Sequence, residues 1–192
     1  MRTSGGPAFL AVLSLFLTTA CSEPVDLTKG LEVEVVSTGW FDAGIVDRKN
    51  KLVPTISVRL KNSSDQTLST LQLNAVFRRA GEKDEWGTRF LPVVGSEGLQ
   101  PGATTGTSVL KSQLGYTGTE SRLDMLKNSL FVDASVELFA KYGAVQWVKI
   151  GEIHLRKLSF EEATAAFERA RVLDPNDPRI RMKVADVQVK LH

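Results

Sequence analysis

Apolar and polar residues alternate along most of the chain between residues 31 and 155. The alternation is clearest in four runs, Leu31–Val35, Ile56–Leu60, Leu71–Phe77 and Leu130–Leu138. A period of two places every second side chain on the same face of a β-strand. The other face of each run is polar, which is typical of antiparallel sheets with one solvated side. The pattern therefore predicts a mainly β protein.

Turn residues separate these runs at short intervals. Gly, Pro, Asn and Asp cluster at residues 62–65, 80–84, 101–102 and 141–143. Several short strands separated by regular turns are typical of β-sandwiches. We therefore predict an antiparallel, immunoglobulin-like β-sandwich of about seven or eight strands over residues 31–156.

The period changes after residue 158, which predicts an α-helical appendage. Apolar residues now recur every three or four positions, at Phe160, Ala163, Phe167 and Ala170 and then at Ile180, Val184, Val187 and Leu191. This spacing gives each segment one apolar helix face. Ser159 and Glu162 form a capping box at the first helix, and Pro175 ends it. Residues 157–192 are thus expected to form a helical hairpin.

The first twenty residues read as an export signal. Arg2 precedes an uncharged apolar run at residues 8–17, which is too short to cross a bilayer as a helix. The segment Thr18-Thr19-Ala20-Cys21 resembles the lipobox of bacterial lipoproteins, and this resemblance implies acylation of Cys21. Ordinary signal peptidase cleavage after Ala20 is the alternative. Cys21 is the only cysteine, so an intramolecular disulfide is excluded.

The resemblance also implies a location. We expect residues 1–20 to be a signal peptide and residues 21–30 a lipidated tether, with Cys21 holding the protein on a membrane. Ser22 follows the cysteine. In lipoproteins of Gram-negative cells, a residue other than Asp at this position implies sorting to the outer membrane, facing the periplasm.

Part of the β region resembles small bacterial envelope sandwiches named for a Phe-x-Leu-Tyr-Asp motif. The shared features are a strand that runs into an Asn-Ser-Asp turn and a later Leu-x-Pro-Gly turn. Here they fall on Val58–Leu60, Asn62, Asp65, Leu99 and Pro101-Gly102. The Tyr-Asp pair itself is replaced by Arg78-Arg79. The resemblance implies a fold rather than a function.

The C-terminal region resembles the tetratricopeptide repeat, a helix pair that in many proteins binds partners. Ala163, Phe167, Ala170 and Pro175 match the second half of the repeat. The first half would fall on Trp147, Ile150, Gly151 and His154. The same stretch, residues 147–155, is rich in β-branched residues and follows a turn as the second strand of a hairpin would. We favour the strand.

The sequence contains no set of residues that indicates catalysis. It has two histidines, His154 and the terminal His192, and no cluster with zinc-ligand spacing. The carboxylates Glu82, Asp84 and Glu85 flank Lys83 in a turn and are interpreted as a solvated charge run. We therefore predict a non-enzymatic protein without a cofactor or a metal. The net charge of +2 is spread along the chain, which gives no indication of nucleic-acid binding.

Two main hypotheses for function remain, and a third, an envelope hydrolase, would need two carboxylates facing each other in a cleft. The first is a membrane-anchored protein-interaction or accessory module that contacts another envelope protein through the hairpin residues Phe160, Phe167, Ile180 and Val184. The second is a small-molecule or glycan-binding sandwich that uses Trp40 and Trp86, with the predicted turn at residues 115–118 nearby. Exposed, coplanar tryptophans would favour the second hypothesis, and buried ones would weaken it. The oligomeric state stays open.

Overall fold

The computed structural model describes residues 25–144 and 146–156, together with isolated positions at 165, 168, 169, 172 and 176. Its elements are α1 (Leu27–Gly30), β1 (Leu31–Val46), β2 (Lys49–Asn62), β3 (Gln72–Arg79), β4 (Gly87–Pro92), β5 (Ser108–Lys111), β6 (Tyr116–Gly118), α2 (Arg122–Met125), β7 (Ala134–Lys141) and β8 (Val148–Leu155). In this part of the chain, no helix has the length and apolar character needed to span a membrane.

The eight strands form two antiparallel sheets. In the first sheet β2 lies at the centre, with β1 on one side and β5 and β6 in succession on the other. The second sheet has the strand order β4-β3-β7-β8. The prediction of a mainly β, antiparallel fold is confirmed.

One apolar core lies between the two sheets, and alternating strand positions build it. Ile56, Val58 and Leu60 of β2 face Leu73, Ala75 and Phe77 of β3 and Val136 and Leu138 of β7, and all are essentially inaccessible to solvent. The alternation read from the sequence therefore identified the inward faces of these strands. Burial of this apolar surface is the main stabilising contribution.

The disputed segment near residue 150 is a strand. β8 pairs with β7 from Ala134↔Leu155 to Ala140↔Val148. The strand interpretation is confirmed, and the alternative of a full helical repeat beginning near residue 144 is wrong. A free edge on β7, the longest alternating run in the sequence, would leave backbone N–H and C=O groups unpaired, and β8 satisfies them. The predicted hairpin at residues 157–192 lies outside the described residues, apart from the five isolated positions.

The strand predicted to begin at Leu130 begins only at Ala134. The side chain of Asn128 accepts a hydrogen bond from Leu130 N at 2.9 Å, and Phe131 N donates to the Asn128 carbonyl. These bonds form a turn, which leaves Leu130 78% exposed and buries Phe131 instead. Local side-chain bonding by Asn thus overrides the alternating pattern at this point.

Asn62, the last residue of β2, joins two turns. Its Nδ2 donates to the carbonyls of Gln66 and Leu99, both at 2.8 Å, and its Oδ1 accepts from Ser64 N and Ser64 Oγ. The side chain is fully buried. The Asn-Ser-Asp and Leu-Gln-Pro-Gly turns, recognised separately in the sequence, are therefore held together by one amide.

The hairpin of β1 and β2 is long and irregular on its outer strand. A two-residue turn joins the strands at Asp47 and Arg48, which both have positive φ, as a type I′ turn requires. Register shifts interrupt β1 between Val35 and Ser37 and between Asp42 and Ile45. The stretch Ser37–Asp42 between the two bulges is regularly paired.

Candidate functional site

Four aromatic side chains from distant parts of the sequence meet at one end of the sandwich. Trp40 lies 6.0 Å from Trp86, 5.6 Å from Tyr116 and 4.5 Å from Phe131, measured between ring centroids. Tyr116 and Phe131 stack at 4.3 Å. We call these four residues the aromatic cluster. The two tryptophans predicted from the sequence are thus brought together, and both are half-buried.

The tryptophans do not form a flat, open platform. Their planes are tilted by 53° to each other, and neighbouring rings cover much of their surface. Stacking of a sugar ring needs an accessible aromatic face, so this arrangement does not favour the glycan hypothesis. The segment at residues 115–118 was predicted as a turn, which is wrong for most of it. Tyr116–Gly118 forms β6 and pairs with Asn50–Leu52.

Arg79 lies against the aromatic cluster. Its guanidinium carbon is 5.1 Å from the centroid of Trp86 and 5.3 Å from that of Tyr116, which are cation–π distances. The nearest carboxylate is Glu82, with 3.7 Å between Nη1 and Oε1. Nε of Arg79 is buried without a hydrogen-bond acceptor among the described residues. Two ring faces therefore hold this cation, while its N–H donors are little used.

A cleft of about 480 Å³ opens beside Arg79. Its lining includes the apolar or aromatic residues Tyr116, Leu130 and Phe131, the acidic residues Glu82 and Glu120, and the polar residues Thr117, Asn128 and Ser129. Gly115 at its side lies close to the β2 backbone, and a Cβ there would collide with the Leu52 carbonyl oxygen. The cleft thus combines one cation and two acidic side chains with apolar and neutral polar lining.

Sequence reasoning missed Arg79, although a signal was present. The alternating positions Leu73, Ala75 and Phe77 face the core, and the same period of two continues to Arg79. Arg79 pairs with the buried Ala134, whereas its neighbour Arg78 points to the outer face and contacts Glu137. A cation at an inward position of a strand was the overlooked feature.

The free edge of the first sheet is a second exposed surface. In the described part of the chain, β1 pairs with β2 only. Five apolar side chains of this strand are partly exposed, namely Val35, Val36, Phe41, Ile45 and Val46, and the Lys111 ammonium lies 3.3 Å from the ring centroid of Phe41. Ile45 is the most open of them, at 71% exposure. We call this strand with its unpaired backbone the β1 edge.

The outer face of the second sheet carries a charge network and an aromatic pair. Arg78 and Lys149 contact the two carboxylate oxygens of Glu137 at 2.9 and 2.7 Å, and Lys149 also binds Glu152 at 2.8 Å. The hydrogen bond from Lys149 lowers the pKa of Glu137 from its ordinary value, desolvation opposes this shift, and the hydrogen bond from Arg78 adds to the lowering. Next to this network, Phe90 and Trp147 meet edge to face at 6.1 Å.

The remaining residues singled out in the sequence lie outside the described part. These are the lipid-anchor candidate Cys21 and the hairpin residues Phe160, Phe167, Ile180 and Val184. Among the described residues, no group of three or more His, Cys, Asp or Glu is placed to hold a metal ion.

Comparisons with known proteins leave the family open. No protein-family model matches the chain, and no curated protein matches it. Among solved structures, similarity is found to a Northeast Structural Genomics Consortium target (TM-score 0.40, 13% identity, covering 68% of this chain and 89% of the other). A second is described as the ApaA protein of Bordetella pertussis (TM-score 0.39, 16% identity, covering 66% of this chain and 92% of the other). A third is described as a late embryogenesis abundant protein (TM-score 0.30, 18% identity, covering 67% of this chain and 72% of the other). Likeness at this level assigns no function.

Proposed function

We propose that this protein is a non-enzymatic lipoprotein of the cell envelope, anchored through Cys21, that serves as a protein-interaction or accessory module. The observation that carries the interaction part is the β1 edge. An unpaired strand edge presents backbone N–H and C=O groups that an extended segment of another protein can bind by adding a strand.

The central part of the β1 edge suits such an addition. Residues 35–41 carry no charge, so no like-charge repulsion opposes an incoming strand. Ser37–Asp42 is regularly paired with β2, and the bulges on either side limit the length that a partner can pair with. The partner we propose is an extended segment of another envelope protein with apolar side chains that cover Val36 and Phe41.

A photo-crosslinking side chain placed at Thr38 in intact cells tests this interaction. We expect one discrete crosslinked product from this position. A crosslinker at the neighbouring Ser37 should give the same product, and that product should be lost when Thr38→Lys is added, because an edge lysine opposes strand addition. The matched control is Thr119, which is exposed just beyond β6 at the opposite edge of the sheet. Equal products from both positions, or none from Thr38, would refute the β1 edge as the binding surface.

A deletion separates the β1 edge from the C-terminal segment. The product at Thr38 should survive removal of residues 157–192 if the edge itself binds the partner. Loss of the product with a folded sandwich would instead assign the interaction to the segment that contains Phe160, Phe167, Ile180 and Val184.

A second candidate function is small-molecule binding, and the cleft beside Arg79 favours it. Its volume of about 480 Å³ lies within the range of about 300–1,000 Å³ that is common for ligand pockets. A ligand-observed NMR screen of sugars, nucleosides and amino acid derivatives tests this. Binding that is unchanged when Leu130→Glu replaces an apolar side chain of the cleft by a negative charge would exclude this site.

A further inference from the structure

The geometry points to a ligand class for the cleft: a small zwitterion whose carboxylate binds Arg79 and whose ammonium group faces Glu120. This inference deepens the second candidate function and rests on it. It is independent of the β1 edge.

Arg79 is oriented before any ligand arrives. It is the last residue of β3, its backbone is fixed by pairing with β7, and two aromatic rings, Trp86 and Tyr116, hold the guanidinium. Cation–π contact uses the face of the guanidinium and hydrogen bonds use its edge, so the two Nη groups of Arg79 can still donate in the plane, whereas its Nε is buried. Little side-chain entropy is then lost when a carboxylate binds.

Arg79 has a longer contact with a carboxylate than Arg78 or Arg122 has. Arg78 is paired with Glu137 at 2.9 Å, and Arg122 with Asp42 at 2.5 Å. The 3.7 Å separation between Arg79 and Glu82 is too long for a hydrogen bond. A partly buried guanidinium with unused donors gains strongly from a bidentate carboxylate, which matches its planar geometry.

The acidic side chains of the cleft determine the rest of the ligand. Among the described residues, the observed salt bridges do not include Glu120, and its carboxylate lies over Gly118, where a Cβ would collide with Oε2. A ligand with only negative charge would be repelled by Glu82 and Glu120, and one with only positive charge by Arg79. A molecule with one negative and one positive group can pair with Arg79 and with the acidic side chains at the same time. Leu130 and Tyr116 then contact its apolar part.

The test uses three matched dipeptides on the full-length protein. The probes are alanylalanine, its C-terminal amide and its N-acetyl derivative, and binding is followed by protein NMR shifts and tryptophan fluorescence. We expect alanylalanine to bind and each blocked probe to bind at least about tenfold more weakly, as loss of a charge-assisted hydrogen bond implies. Equal binding of the three probes would overturn the charge assignment while leaving small-molecule binding intact.

Variants of the protein locate the binding. Arg79→Met should weaken alanylalanine binding at least about tenfold, and Glu120→Gln should weaken alanylalanine but not its N-acetyl derivative. The matched control is Arg78→Met, which removes the neighbouring arginine on the opposite face of the sheet and should leave binding unchanged. If Arg79→Met fails to fold, the Glu120→Gln variant and the three probes still test whether the cleft recognises both charges of the ligand. Absence of binding by alanylalanine, with another probe class bound in the cleft, would refute the inference.

Discussion

At the scale of single residues, Asn62 has the most exacting environment in the described part of the chain. Its amide uses both N–H donors and its carbonyl oxygen, and none of these atoms can turn to water instead. A buried amide that is fully bonded specifies one geometry for the turns around it, because every alternative leaves a polar group unpaired.

Replacement of Asn62 by alanine should therefore lower the free energy of unfolding by about 2–4 kcal/mol, because the Leu99 and Gln66 carbonyls each lose one of two donors and Ser64 N loses its acceptor. Asn62→Asp should also destabilise, since a carboxylate accepts from Ser64 but repels both carbonyl oxygens. Asn50→Ala is the matched control, because Asn50 donates one exposed bond of 2.7 Å to the Glu120 carbonyl and should cost less than about 1 kcal/mol. Urea denaturation measures all three, and similar losses at both sites would contradict this account.

At the scale of elements, the ion network on the second sheet links three adjacent strands. Arg78 lies on β3, Glu137 on β7 and Lys149 on β8. Glu137 is only 22% exposed and accepts from both cations. The network thus connects side chains of three strands that are already joined by backbone pairing.

The stability contributed by Glu137 should depend on pH. Its folded pKa lies below its ordinary value, so the contribution is present above that ordinary value, 4.5, and is lost as pH falls through the lowered folded value. Glu137→Gln should be less stable than the wild type at neutral pH by less than about 1 kcal/mol, because solvent screens the pair. The two proteins should converge in acid.

Guanidinium denaturation would screen the charges, so urea denaturation across the acid range is the measurement for Glu137. Glu152→Gln serves as the control for a more exposed member of the network, and its effect should be smaller. A constant difference between wild type and Glu137→Gln from neutral pH into acid would show that the effect is not due to the charge of this carboxyl.

Sequence pattern and structure agree where one physical effect dominates. The inward faces of β2, β3 and β7 follow from alternation alone, because burial of Val58, Leu73 or Val136 outweighs local preferences. The pattern failed at Leu130, where bonding within a turn decides. It also failed to identify the site, because the cleft depends on Arg79, Tyr116 and Phe131, which come from three separate segments. Only the tertiary pairing of strands brings them together.

At the scale of the whole molecule, the described sandwich is entered through α1, which packs against β8, the last strand of the second sheet. The chain therefore enters the domain next to the strand from which it leaves. From Cys21 to Val25, the backbone can span at most about 14 Å. A lipid on Cys21 would accordingly hold the sandwich close to the bilayer.

Cys21→Ser should move the protein from the membrane to the soluble fraction, since acylation of the thiol is the proposed anchor. Ser22→Ala, which keeps the cysteine, is the control and should stay membrane-bound. Cell fractionation measures where each protein is located, and the intact mass of the wild type shows whether it carries a lipid. A soluble wild type, or a membrane-bound Cys21→Ser with no lipid mass on the wild type, would remove the anchor from the proposal.

The bonding of Asn62 has a consequence for how the protein ages. Asparagine followed by serine is a sequence in which the backbone nitrogen can attack the side-chain amide, so that the residue slowly deamidates. Two such pairs occur, Asn62-Ser63 and Asn128-Ser129. Attack at Asn62 would need its buried amide to leave the Leu99 and Gln66 carbonyls. Asn128 accepts a hydrogen bond from Leu130 N but is exposed at the cleft. Deamidation should therefore occur first at Asn128, where it adds a negative charge beside the proposed ligand site. Asn62, which connects the two turns, should deamidate much more slowly.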